Sequence, residues 1–157
     1  MDDYEVYRIQ RKNELTNKIN SLLRSINSYE KLKTTAEKNI KKMEKEKKQI
    51  EKAIKVSSST ISKLSGISSN LSAAGNTINK YLQDSKRGHL TNQIDGISSN
   101  ISSVESHLDT DIGKLEAEKR KLEKKLIEEK KKLKRYVESL RKLREQLQSA
   151  RNELANI

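Results

Sequence analysis

Apolar residues recur along the chain in two interleaved lanes, each stepping by seven positions. In the first lane, Leu15, Leu22, Tyr29, Ala36, Met43, Ile50, Leu64, Leu71 and Ile78 follow one another with only Ser57 interposed. The second holds Ile19, Ile26, Ile40, Ile54, Ile61 and Leu82, with Lys33, Lys47, Ser68 and Gly75 at the remaining steps. The combined 4-3 spacing puts both lanes on one side of an α-helix, the pattern of a coiled-coil seam. The second half of the chain first follows Leu90, Ile94, Ile97, Ile101, Val104 and Leu108. Beyond Leu108 one lane moves over by a residue, and the seam continues through Ile112, Leu115, Leu122, Leu126, Leu133, Tyr136, Leu140, Leu143, Leu147, Ala150 and Leu154. That displacement lies beside Gly113 and predicts a local change of winding or a bend there.

The composition reads nearly the same in both directions. A charged arm runs to Lys55, a Ser-rich stretch follows to Asn76, and Asp84-Ser-Lys-Arg-Gly88-His89 reads as a turn. A second Ser-rich stretch spans Ser98 to Ser106, and a second charged arm starts at Lys114. Gly66-Ile-Ser-Ser-Asn-Leu-Ser72 also resembles Gly96-Ile-Ser-Ser-Asn-Ile-Ser102, but two copies are too few for a solenoid. Mirrored composition about a polar turn is what an antiparallel helical hairpin requires. The chain is therefore predicted to be all-α, a single long antiparallel helical hairpin or coiled coil over residues 1–157. Its parts are a helix at 3–83, a turn at 84–89 and a helix at 90–156. Ser and Gly are weak helix formers, so the alternative is a shorter bundle whose arms fold back at the Ser-rich stretches. The unbroken phase through Ser57–Ser72 favours the long hairpin.

Composition narrows the class further. Apolar residues make up 32% of the 157 and charged residues 36%, while Phe, Trp, Cys and Pro are absent. Without large aromatics a thick multilayer core is out of reach, and without Cys there is no disulfide framework or thiolate metal site. The longest uncharged run, Leu64–Asn79, is rich in Ser, Asn and Gly, too polar to span a bilayer. No signal peptide is apparent behind Met1-Asp2-Asp3. The expectation is a cytoplasmic protein without membrane insertion, with export alongside a partner and without a cleaved signal left open.

The formal net charge of +12 is unevenly placed. Residues 56–113 hold four basic groups (Lys63, Lys80, Lys86, Arg87) and five acidic ones (Asp84, Asp95, Glu105, Asp109, Asp111), leaving 30 basic and 17 acidic residues to the two arms. In the arms lysines alternate with glutamates, as in Glu44/Lys48 and Glu128/Lys132 at helical spacing, which marks a solvated face. The basic runs at Lys41–Lys48 and Lys130–Arg135 come without an aromatic platform for bases, so specific nucleic-acid binding is not expected.

Catalytic chemistry finds no foothold. His89 and His107 stand eighteen residues apart with no Cys. Asp109-Thr-Asp111-Ile-Gly113 departs from a calcium loop, with its Gly one position early and Arg120 where the closing Glu belongs. Ser, His and Asp occur, but in no nucleophile turn, and no Gly-rich phosphate loop is present. The chain reads as a non-enzyme with no metal and no cofactor. The neutral middle is a different matter. Desolvation is cheapest where charge is scarce, and Ser57, Ser68, Ala74 and Gly75 are narrow enough to leave room for a third helix. The expected partner-binding residues are Ile61, Leu64, Leu71, Ile78 and Leu82 on the first helix and Ile94, Ile97, Ile101 and Val104 on the second.

A Lys-rich, Cys-free helix, a small-residue polar centre and a returning helix together resemble the small helical-hairpin proteins of type VII secretion. More narrowly, they resemble the accessory proteins encoded beside LXG-domain toxins. The chain has no Trp for that superfamily's Trp-X-Gly turn, and Arg87-Gly88 occupies its place. Nor does it match the aromatic-x-x-x-acid export signal, since Tyr4 is followed by Arg8, Tyr29 by Lys33, Tyr81 by Ser85 and Tyr136 by Leu140. The resemblance implies an adaptor that binds the helical N-terminal domain of a secreted toxin, with a second small helical protein as a further partner, and that helps target the toxin. The alternatives are a self-associating coiled-coil scaffold, a homo-oligomer when alone, and a basic nucleic-acid-binding helical protein.

Overall fold

The structure is a computed structural model and describes residues 2–157, with the backbone alone for Asp84 and Ser85. It is an all-α helical hairpin of two helices packed against each other. Helix α1 spans Asp3–Tyr81, 79 residues, and α2 spans Asp84–Ala155, 72 residues, with no strand among the described residues. Asp3 and Glu5 sit in the first turn of α1, where negative charge opposes the helix dipole.

Both Ser-rich stretches are continuous helix. Four hydroxyls in or just beyond the first stretch turn back along their own helix: Thr60 Oγ1 donates to Val56 O (2.9 Å), Ser62 Oγ to Ser58 O (3.2 Å), Ser69 Oγ to Ser65 O (3.1 Å) and Thr77 Oγ1 to Ala73 O (3.1 Å). Such back-bonding satisfies the side chain without breaking the backbone ladder.

The connection is shorter than the sequence predicts. Leu82 N still bonds Ile78 O (3.1 Å), closing α1, and Arg87 N already bonds Gln83 O (2.9 Å), opening α2. The expected turn at 84–89 is instead the first turns of α2, which starts at Asp84 rather than 90. Arg87 Nη2 donates to Leu82 O (2.8 Å), so a side chain of α2 satisfies the carbonyl just past the end of α1. Gly88 has no positive φ, and residues 86–89 are helical rather than a loop.

The contacts divide into two units. One comprises Met1–Glu44 with Lys124–Ile157. Its core is Leu15, Leu22, Ala36 and Ile40 from α1 against Leu126, Leu140, Leu147 and Ala150 from α2, all buried. Tyr29 and Tyr136 pack with ring centroids 6.2 Å apart. Arg11 Nε donates to Glu153 Oε1 (3.0 Å), Lys130 Nζ lies 3.4 Å from Glu44 Oε1, and Arg144 pairs with Glu30. The other unit is Lys45–Glu123, and Ile101 is its one buried hydrophobic among the described residues.

In α1 every residue of the two sequence lanes, from Leu15 and Ile19 through Ile78 and Leu82, is buried or half-buried. In α2 the shielded residues also keep an uninterrupted 4-3 spacing, through Thr91, Ile94, Ser98, Ile101, Glu105, Leu108, Ile112 and onward to Ala150 and Leu154. The displacement expected beside Gly113 is absent. It arose from placing Ile97 and Val104 on the seam; they lie outside it, 47% and 48% exposed. Ser98 and Glu105, one position later, hold the seam instead. A uniform helix carries one phase along its whole length, and the seventeen other seam positions outweigh two misplaced apolar residues.

Candidate partner-binding surface

Gly75 fixes the register of the Lys45–Glu123 unit. A Cβ built there would lie 3.7 Å from Ile94 Cδ1, so Gly75 and Ile94 face each other. Stepping along the seam from that pair in opposite directions sets Leu71 against Ser98, Ser68 against Ile101 and Leu64 against Glu105. Small residues on one helix thus face large ones on the other. At Gly75 the expected room for a third helix is taken by Ile94, and the same register places Ile101 opposite Ser68. Beside the turn, Thr91 Oγ1 donates to Asn79 Oδ1 (3.3 Å).

The residues expected to bind a partner therefore fall into two groups. Ile61, Leu64, Leu71, Ile78, Leu82 and Ile94 line the intramolecular seam and remain half-buried, while Ile101 is buried there. Ile97 and Val104 point away from the seam. Ile67, 50% exposed, and Tyr81, 80% exposed, share that outward character and lay off both lanes in the sequence. The signal that finds them is the helix face one position before the seam.

The arm-side end of this unit is closed by a four-membered charged layer. Lys47 and Lys119 occupy seam positions. Lys47 Nζ lies 3.4 Å from Glu123 Oε1 and Lys119 Nζ 3.4 Å from Glu51 Oε1, with Lys47 also 3.9 Å from Glu51. Each glutamate directly follows a seam residue, Ile50 or Leu122, so the residues that follow the seam on both helices share one side of the pair. Charged groups at seam positions select register and orientation at some expense in stability.

The remaining candidates gather no chemistry. Among the described residues no group of His, Cys, Asp or Glu is placed to hold a metal, and no helix is long and apolar enough to cross a membrane. His107 Nδ1 lies 2.7 Å from Ser103 O within its own helix. In the unit formed by the chain ends, an open hollow of about 650 Å³ is lined by Tyr29 and Tyr136 together with Lys131, Lys134 and Arg135. The basic run thus has aromatic neighbours that the sequence reading missed, although both rings are half-buried and packed on each other. Nearby, a hydrogen bond from Arg141 holds the Glu138 carboxyl below its ordinary range, and the Glu138 hydrogen bond raises the Arg141 guanidinium. Arg11 is likewise raised, chiefly by its hydrogen bond to Glu153. These are solvent-exposed pairs, which contribute little to stability.

No family model, curated protein or solved structure matches this chain.

Proposed function

We propose that the protein is a non-enzymatic helical adaptor. It binds the helical N-terminal domain of a secreted LXG-type toxin in the cytoplasm and helps target that toxin to the type VII secretion system. One observation carries the adaptor reading. Among the described residues, eight of the nine buried hydrophobics belong to the unit of the chain ends, while the neutral middle contributes only Ile101. A segment whose two helices shield each other only in part has apolar surface left for another chain to cover. The secretion context rests on the resemblance of the whole pattern to LXG accessory proteins, with a second small helical protein as a further component.

Coexpression with the helical N-terminal domain of an LXG toxin encoded in neighbouring genes tests the proposal. The expected result is a stable complex on size-exclusion chromatography, and secretion of that toxin that falls when this protein is deleted. A chain that forms only its own oligomers, with toxin secretion unchanged by its deletion, would instead identify a structural scaffold.

A further inference from the structure

The two flanks of the neutral middle differ in kind. In an antiparallel pair, the residues just before the matching seam lane share one side, and those just after share the other. The Lys47–Glu123 and Lys119–Glu51 pairs mark the second side. Within 56–113 that second side reads Ser58, Ser65, Ser72 and Asn79 on α1, with Gly88, Asp95, Ser102 and Asp109 on α2. The first side reads Thr60, Ile67, Ala74 and Tyr81 on α1, with Leu90, Ile97, Val104 and Asp111 on α2. Four of these eight are large hydrophobics with roughly half or more of their surface exposed, Leu90 is half-buried, and Thr60 and Asp111 end the apolar run in each lane. One flank is an apolar strip and the other is small and polar.

The rim of the apolar strip decides its occupant. The next helix position outward holds Lys63, Asn70 and Thr77 on α1, and Lys86, Gln93, Asn100, His107 and Lys114 on α2, all exposed. Among the described residues the rim has three lysines and no carboxylate, and Asp111 continues the strip's own lane on α2. A second copy of the same surface would set lysines against lysines, which is unfavourable. A helix with an apolar stripe bordered by Asp or Glu meets both the strip and the rim.

We propose that the strip formed by Ile67, Ala74, Tyr81, Leu90, Ile97 and Val104 is the docking site for a single amphipathic partner helix with acidic borders, laid along one flank to make a three-helix layer. This inference rests on the adaptor reading and places its contact, with Ile97 and Val104 as the outward anchors. The seam residues stay committed to the intramolecular pair. Specificity comes from the lysine rim, which rejects basic helices.

The test compares Ile97→Asp and Val104→Asp with Ser102→Asp, an exposed position on the polar flank of the same helix. Circular dichroism first establishes equal helicity in all variants, as expected for exposed positions. Two probes are used: the helical domain of the neighbouring LXG toxin, and a designed Leu-faced helical peptide bordered by Glu, with a Lys-bordered peptide of the same apolar face. The Ile97 and Val104 variants are expected to bind both the toxin domain and the Glu peptide roughly tenfold more weakly, with Ser102→Asp within about twofold of the wild type and the Lys peptide the weaker of the two. If the toxin domain binds all variants equally, the adaptor reading stands and this placement falls. If only the Glu peptide binds, with the same variant pattern, the docking chemistry stands and the toxin assignment falls. Equal binding of the two peptides, or binding of neither probe, overturns the proposal. So does a wild-type dimer that Ile97→Asp dissociates, because the occupant is then a second copy.

Discussion

Gly75 of α1 faces Ile94 of α2 closely enough that a single added carbon would touch its side chain, at 3.7 Å from Cδ1 and 3.9 Å from Cγ2. The contact is ordinary van der Waals packing, so a methyl fits, and a bulkier side chain directed at Ile94 would press on it. Gly75→Ala should therefore raise stability by about 1 kcal/mol, through helix propensity. Gly75→Leu should lower it by about 1–3 kcal/mol through overpacking. Urea unfolding followed by circular dichroism reads both. A Leu variant as stable as the wild type would mean that Ile94 is not seated over Gly75.

Ile97 and Ile101 are one helical turn apart and chemically identical, yet they are 47% and 9% exposed. Ile101→Ala should cost about 2 kcal/mol, near the lower end for a buried aliphatic because a two-helix seam collapses easily. Ile97→Ala should stay within about 0.5 kcal/mol. Equal costs at the two sites, in thermal or urea unfolding, would restore the seam phase that the apolar pattern alone suggests.

Stability should be unevenly distributed along the chain. Among the described residues, the buried residues of α1 lie at Leu15–Ile40 and most of those of α2 at Leu126–Ala150, with only Ile101 between. Amide hydrogen exchange should accordingly be slowest over 15–40 and 126–150 and faster over 57–108. A bound partner helix should slow exchange mainly in 67–104. Uniform protection in the free protein would contradict the burial pattern.

Lys47 and Lys119 interrupt an otherwise apolar stretch of the seam and are held by Glu51 and Glu123. Replacing both lysines with Leu should raise the melting temperature while relaxing the control of partner number, since an apolar seam accepts more helices. Sedimentation velocity should then show higher oligomers. A double variant that stays strictly in the wild-type state would assign these lysines no role in specificity.

Much of this architecture was legible in the sequence because a coiled-coil seam is a periodic signal. Absence of Pro, two heptad lanes in α1 and the mirrored composition determined two helices and a reversal near the centre, and every α1 lane residue from Leu15 to Leu82 is shielded as its phase requires. Neighbouring residues at a seam edge are another matter. Ile97 or Ser98, and Val104 or Glu105, are choices between positions about 100° apart on the same helix, and hydrophobicity favours the wrong member of each pair. Tertiary structure decides them, because Leu71 and Leu64 lie opposite Ser98 and Glu105 in the register set by Gly75 and Ile94. Packing of a large residue against a smaller or longer partner, repeated in one phase over the whole helix, outweighs the local gain of turning two β-branched side chains inward. The same decision leaves those two side chains outside, on the flank where a partner helix can reach them.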